Sequence, residues 1–172
     1  DYHDILEDHG LESIHLTSEF PILTAVYGYH RTFDDPEEGH YPELRAFPLI
    51  NEGNCPIYAA RSTTEAVLIK LDPRAIAGWL ATNDLFVDEE ELADLSDREL
   101  RARFHAEMDP LNPYTDLDDV SDISQQIHGL MHTLSHILIK EAAMLAGIED
   151  TNLAEYLFPE AFTIGIYANQ TQ

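Results

Sequence analysis

The residues best suited to chemistry in this sequence are three histidines in the segment 123–147. His128, His132 and His136 follow one another at intervals of four residues. Side chains four residues apart lie on one face of an α-helix at a separation of about 6 Å, close enough for two imidazoles to share a metal ion. His128 and His136 are separated by about 12 Å of helix, so one ion would take only two of the three rings.

A metal-dependent hydrolase is therefore one interpretation, with His132 and His136 as ligands and an acidic residue such as Asp119 or Asp122 completing the site. The glutamate that follows the first histidine of a metalloprotease helix is absent, because Thr133 occupies that position. The favoured interpretation is that the histidines hydrogen-bond backbone or hydroxyl groups on a covered helix face. No catalytic residue, metal or cofactor is predicted for this chain.

The remaining motifs do not add a catalytic set. Arg98, Arg101 and Arg103 form a basic cluster with His105 that could contact phosphate. The acidic residues around the cluster favour ion pairs within a helix instead. Ser135 lies inside the predicted histidine helix without the flanking glycines of a nucleophile elbow.

The segment that carries the histidines predicts one long helix, from an N-cap at Ser121 or Asp122 to a C-cap at Gly147. Its apolar residues share one side, and the histidines lie nearly opposite, together with Ile139 and Ala143. We expect this helix to be covered on both sides and to form the centre of the fold. The apolar side consists of Ile123, Ile127, Leu130, Leu134, Ile137, Leu138 and Leu145.

The N-terminal half predicts strands and the rest mainly helices. Gly28, between two tyrosines, predicts a bulge or a close approach of two backbones. N-caps are predicted at Asp72, Asp88 and Ser96, and Thr151 is predicted to cap a short segment that ends at Phe158. Branched and alternating apolar residues predict strands at 11–20, 22–30, 44–50, 56–61, 64–71 and 162–167.

These elements predict a mixed α+β fold. A mainly antiparallel sheet from the N-terminal half packs against the long central helix and shorter helices, and a C-terminal strand closes the fold. We expect residues 1–172 to form a single domain. Because the first residue is Asp1 rather than methionine, this domain is expected to be a fragment of a longer protein.

The charge balance is strongly acidic, with 9 basic and 33 acidic residues and a net charge of −24. Only two of the basic residues are lysines, Lys70 and Lys140. Such a surface is typical of proteins from salt-loving archaea, in which a Debye length of about 3 Å at 1 M salt screens self-repulsion.

The single cysteine, Cys55, is predicted to be a small buried residue of a cytoplasmic protein. No apolar run is long enough to predict a membrane span.

Several segments carry a family resemblance. The run HGLMHTLSHILIKEAAMLAGIEDTNLAEYLF at 128–158, followed by TIGIY, resembles the helicase-associated C-terminal domain of unknown function in DrmB, a subunit of DISARM antiphage systems, and in MrfA-type repair helicases. The segments LTSEFPILTAVYGYHR at 16–31 and TEAVLIKLDPRAIAGWL at 64–80 are also similar to that family.

The resemblance implies a non-catalytic accessory module that contacts a helicase-like ATPase or another defence-complex subunit, and that reaches DNA through the complex. Zinc occurs in several family members on a four-cysteine cluster. It is not carried over, because this chain has only one cysteine. An ion pair between Arg31 and Glu65 that knits the strands together is the structural alternative for those two residues. The candidate contact groups are the polar members of the matched segments: Tyr29, Arg31, Glu65, His132, His136 and Glu155.

Overall fold

The computed structural model describes residues 1–29, 45–50, 53–111 and 115–169. The chain divides into two compact units. Unit 1 comprises Asp1–Phe20 and Thr64–Gln172, and unit 2 comprises Pro21–Thr63. Arg31 lies outside the described residues, and the single domain at 1–172 stays a prediction.

The fold is α+β, as the sequence predicts, and its main element is a four-stranded antiparallel sheet. The strand order is β1-β4-β6-β5, so β1 and β5 form the edges. Pro21 lies inside β1, where the missing N–H is tolerated because an edge strand pairs on one side only. The strands are β1 (Leu11–Val26), β4 (Tyr58–Leu71), β5 (Leu153–Phe158) and β6 (Thr163–Ala168).

A two-stranded sheet in unit 2 joins β2 (Gly28–Tyr29) to β3 (Arg45–Ala46). A Cβ atom on Gly28 would lie 2.5 Å from the carbonyl oxygen of Arg45, so a larger residue would clash with the backbone. The close approach predicted at this glycine is confirmed.

Five helices accompany the main sheet in the described part of the chain, and their ends follow local capping chemistry. The Asp72 carboxylate accepts hydrogen bonds from two backbone N–H groups, and Ser96 and Glu99 form a reciprocal capping box. Gly147 ends the longest helix with φ +69°, a left-handed conformation that favours glycine. The helices are α1 (Tyr2–Asp8), α2 (Pro73–Thr82), α3 (Glu89–Asp94), α4 (Asp97–Glu107) and α5 (Asp122–Ala146).

The core of unit 1 lies where α2, α4 and α5 meet the sheet. The Phe104 ring stacks on Phe86, with centroids 4.6 Å apart, and meets the edge of Phe162 at 4.8 Å. Met131 of α5 and Ile164 of β6 are completely buried in the same cluster. Contacts of this kind fix α5 firmly against β5 and β6.

The side of α5 that faces the sheet differs from the predicted one. Its buried residues are Ser124, Ile127, Met131, Ser135, Ile139 and Ala143. The buried side includes Ile127 from the predicted apolar stripe and Ile139 and Ala143 from the histidine side, so each of the two sides is covered only in part. Serine and alanine are small enough to let the helix approach the strands closely, whereas the sequence pattern had favoured its larger apolar residues.

Residues 153–158 correct a second expectation. They form β5 at the sheet edge, and Thr151 belongs to a short 3₁₀ turn at Asp150–Asn152 instead of capping a helix. Strand β5 pairs antiparallel with β6, placing Glu155 opposite Ile166. Among the helices in the described ranges, none combines the length and apolar character needed to cross a bilayer.

Candidate functional site

Two imidazoles face each other on α5. The rings of His132 and His136 are nearly perpendicular at 88°, with centroids 4.4 Å apart, and their Nε2 atoms are 3.1 Å apart. Spacing of one helical turn produces this approach, because residues i and i+4 are stacked along the helix. About half of the His132 side chain is exposed, at 49%. The pair is therefore accessible from solvent.

Glu155 reaches this pair from β5. Its Oε1 lies 2.9 Å from Nδ1 of His132, and its side chain is only 20% exposed. The Ser135 hydroxyl contacts the other carboxylate oxygen and lies 2.7 Å from the carbonyl oxygen of His132. Glu155 is thus held from two directions, and its Oε1 accepts a hydrogen bond from Nδ1–H of His132.

His128 extends the row without joining the cluster. Its ring lies almost parallel to that of His132, at 13°, with centroids 6.0 Å apart. Burial lowers the pKa of the His128 imidazole, and the neighbouring charge of His132 lowers it further, against a weaker opposing effect of Glu155. His128 is therefore predominantly neutral at neutral pH.

The pair lies in the wall of an open groove between α5 and the segment that leads into β5. The groove has a volume of about 500 Å³ and is lined by His132, His136, Lys140, Asp150 and Glu155, among others. The described part of the chain contains one group of at least three side chains suited to holding a metal ion, formed by His132, His136 and Glu155. One ligand atom from each lies within 4.8 Å of the other two.

The structure brings together three of the six residues selected from the sequence, His132, His136 and Glu155. Glu65 is exposed on β4 and lines a separate cavity of about 580 Å³ in unit 1. Tyr29 belongs to β2 in unit 2, where its ring lies 6.2 Å from that of Phe47. The alternative ion pair between Glu65 and Arg31 stays a prediction, because Arg31 lies outside the described residues.

The acidic partner of the histidines also differs from the expected one. Asp122 lies ten residues before His132, about 15 Å along the helix axis, which is too far for a shared ion. Asp119 lies in a 3₁₀ turn that precedes α5. Glu155 occupies the position instead, and Ser135 supports it from the buried side of the helix. Their roles depend on the packing of β5 against α5, which the spacing of residues within one helix does not reveal.

A second feature of α5 is an exposed apolar strip. Ile137, Met144 and Leu145 are 52%, 67% and 84% exposed, and Ile148, just after the helix end, is 43% exposed. At about 100° per residue the first three fall within a sector of roughly 100°. We call these four residues the α5 strip.

The arginines and the cysteine have simpler environments. Arg103 pairs with Glu107 one helical turn away, as the intrahelical interpretation predicts. Arg101 instead reaches Glu12 of β1 at 2.8 Å. Cys55 is exposed rather than buried, with its thiol 3.8 Å from the carbonyl oxygen of Tyr27.

Comparisons with protein-family models, curated proteins and solved structures find no match to this chain.

Proposed function

We propose that this chain is a non-catalytic accessory domain of a helicase-type DNA-processing or antiphage defence complex, and that it acts in the cytoplasm by protein–protein contact. The observation that supports this proposal is the α5 strip. Four of the exposed large apolar side chains in the described part of the chain lie together along the C-terminal half of α5 and just after its end, on a chain with a net charge of −24.

Isolated exposed apolar residues are common on protein surfaces, whereas contiguous patches mark interaction sites. The helical members of the α5 strip share one side of a helix whose adjacent side packs against the sheet, and Glu141 lies between Ile137 and Leu145 on that side. A rigid helix face of this type presents anchors at helical spacing to a partner groove. Burial of apolar surface contributes about 25 cal/mol per Å², so a few such side chains supply much of a specific interaction.

The charge around the strip indicates the chemistry of the partner. Glu141 lies on the same side of α5, and Glu149 and Asp150 follow directly after Ile148. A complementary surface therefore has an apolar groove with lysines or arginines around its rim. The same acidity repels a phosphate backbone, and molar salt leaves little counterion-release affinity for DNA. Contact with DNA is assigned to the partner rather than to this domain.

The class of partner comes from the sequence resemblance to the helicase-associated domain of DrmB and MrfA-type proteins. That resemblance favours a helicase-like ATPase or another subunit of a defence complex. Tyr29, Arg31 and Glu65 remain proposed contact groups on the same basis.

Affinity purification of the full-length protein in molar KCl, with mass spectrometry of the bound proteins, tests the proposal. We expect the wild-type protein to recover a helicase-type ATPase. A glutamate in the centre of an apolar interface weakens the binding free energy by about 2 kcal/mol or more. Leu145→Glu should therefore reduce recovery of the ATPase about 30-fold.

Ile5→Glu is the matched control, because Ile5 is a 58% exposed residue on α1, outside the α5 strip. This variant should recover the ATPase as the wild type does. Recovery of neither an ATPase nor a nuclease by the wild type, or undiminished recovery by Leu145→Glu, would contradict the proposal.

A further inference from the structure

The geometry points to a transition-metal site of the zinc class on α5, with Nε2 of His132 and Nε2 of His136 as its protein ligands and Glu155 as the residue that orients His132. The site is independent of the α5 strip. It involves a different side of the helix and requires no partner protein.

The two histidine nitrogens are already separated by nearly the distance that a zinc site requires. Zinc binds imidazole nitrogens at about 2.0–2.1 Å in tetrahedral geometry, which places two such nitrogens about 3.4 Å apart. The Nε2 atoms of His132 and His136 are 3.1 Å apart already. The ion would be admitted by a change of about 0.3 Å, together with movement of the proton that these two nitrogens share to Nδ1 of His136 or to water.

The hydrogen bond from His132 to Glu155 determines which nitrogen of His132 can bind an ion. Because Nδ1–H of His132 donates a hydrogen bond to Oε1 of Glu155, the lone pair of the neutral ring is on Nε2 and points toward His136. Ligand histidines in metal sites commonly donate their other N–H to a carboxylate in this way. Ser135 in turn fixes the carboxylate from the buried side of α5.

The chemical class of the ion follows from the donors. Two imidazole nitrogens suit Zn²⁺, Co²⁺, Ni²⁺ or Cu²⁺, whereas Mg²⁺ and Ca²⁺ prefer sets of oxygen ligands. Two protein nitrogens leave coordination positions open, and the adjoining groove of about 500 Å³ gives solvent or a small anionic ligand access to them. The arrangement is therefore an accessible site, unlike a closed structural zinc centre.

Titration of the chelator-treated chain with Zn²⁺ in molar KCl, in the presence of excess Mg²⁺, tests this assignment. The excess Mg²⁺ suppresses weak binding to surface carboxylates. Isothermal calorimetry and elemental analysis should give one zinc ion per chain. Co²⁺ should occupy the same site and give a visible absorption spectrum of nitrogen-ligated cobalt.

The variants separate ligands from the orienting residue. His132→Ala and His136→Ala should remove stoichiometric binding, whereas Glu155→Gln should weaken it by roughly 10- to 100-fold, the usual effect of losing an orienting partner. His105→Ala is the matched control, since it removes an exposed histidine from α4 and should bind zinc like the wild type.

A nitrogen-detected NMR spectrum of the wild-type chain keeps the test valid if a variant fails to fold. The metal-free spectrum should show His132 protonated at Nδ1, and zinc should shift the Nε2 signals of His132 and His136. The absence of stoichiometric zinc from the folded chain, unaltered binding by His136→Ala, or unshifted Nε2 signals would overturn the assignment.

Discussion

The two exposed sides of α5 differ in how the rest of unit 1 uses them. On the histidine side, β5 contributes Glu155, and the buried Ser135 fixes its carboxylate, so the polar groups have defined partners. On the other side, Ile137 and Leu145 project large apolar surfaces from the same helix. The buried side that separates them combines the small residues Ser124, Ser135 and Ala143 with the larger Ile127, Met131 and Ile139. One rigid helix can therefore carry a polar site and an apolar contact surface that remain independent.

The largest expected effect tests whether the buried side of α5 lies where the structure places it. Met131→Ala removes a completely buried side chain and should lower the free energy of unfolding by about 2–5 kcal/mol, through lost burial and a residual cavity. Ile137→Ala, at a 52% exposed position, should change it by no more than about 0.5 kcal/mol. Denaturant unfolding in molar KCl measures both. Equal losses of stability for the two variants would show that Ile137 is covered rather than exposed.

The second-largest expected effect is the increase of stability with salt, which the acidic surface of the chain predicts. With a net charge of −24, self-repulsion destabilises the folded state in dilute buffer and is screened by salt. A gain of a few kcal/mol between dilute and molar KCl would raise the melting temperature by roughly 10 °C for a chain of this size. Thermal unfolding followed by circular dichroism measures this change. A melting temperature that stays constant with salt would contradict the interpretation as a halophilic protein.

The hydroxyl of Ser135 gives a smaller effect and is specific to the histidine side. Ser135→Ala removes one support of the Glu155 carboxylate and should cost about 0.5–1.5 kcal/mol of stability. Zinc affinity should fall less than in Glu155→Gln, because Glu155 still accepts from His132. Calorimetry compares the two variants. A larger loss of zinc affinity in Ser135→Ala would mean that the serine acts on the ion more directly.

The smallest expected effect concerns Glu12 on β1, and it serves as a control for the changes made on α5. Burial raises the pKa of the Glu12 carboxyl, but hydrogen bonds from Lys70 and Arg101, with their charges, outweigh it and set that pKa below its ordinary value of 4.5. The stability from this carboxylate is therefore present above pH 4.5 and is lost as the pH falls through the lower folded-state pKa.

Glu12→Gln should thus lower the free energy of unfolding by up to about 1 kcal/mol at neutral pH, because the ion pairs are partly exposed. The difference from the wild type should vanish in acid, and zinc binding should not change. Denaturant unfolding at several pH values measures it. A difference that grows as the pH falls would contradict the assigned direction of the pKa shift.

The parts of the fold that depend on neighbouring residues were predictable from the sequence. Asp72, Ser96 and Gly147 cap their helices because capping involves only a few adjacent residues. The buried side of α5 was predictable only in part: Ile127 belongs to the predicted apolar stripe, whereas the buried position of Ser135 results from close packing against β5 and β6. The bond between His132 and Glu155 depends on how a strand 23 residues away packs against the helix, which no local pattern specifies.

The most direct test of the account measures zinc content and ATPase recovery together in the same preparations of two variants of the full-length protein. We predict that Leu145→Glu keeps one zinc ion per chain and loses the ATPase, while His136→Ala loses the zinc ion and keeps the ATPase. Loss of both properties in either folded variant, or retention of both, would show that the two sides of α5 do not have separate functions.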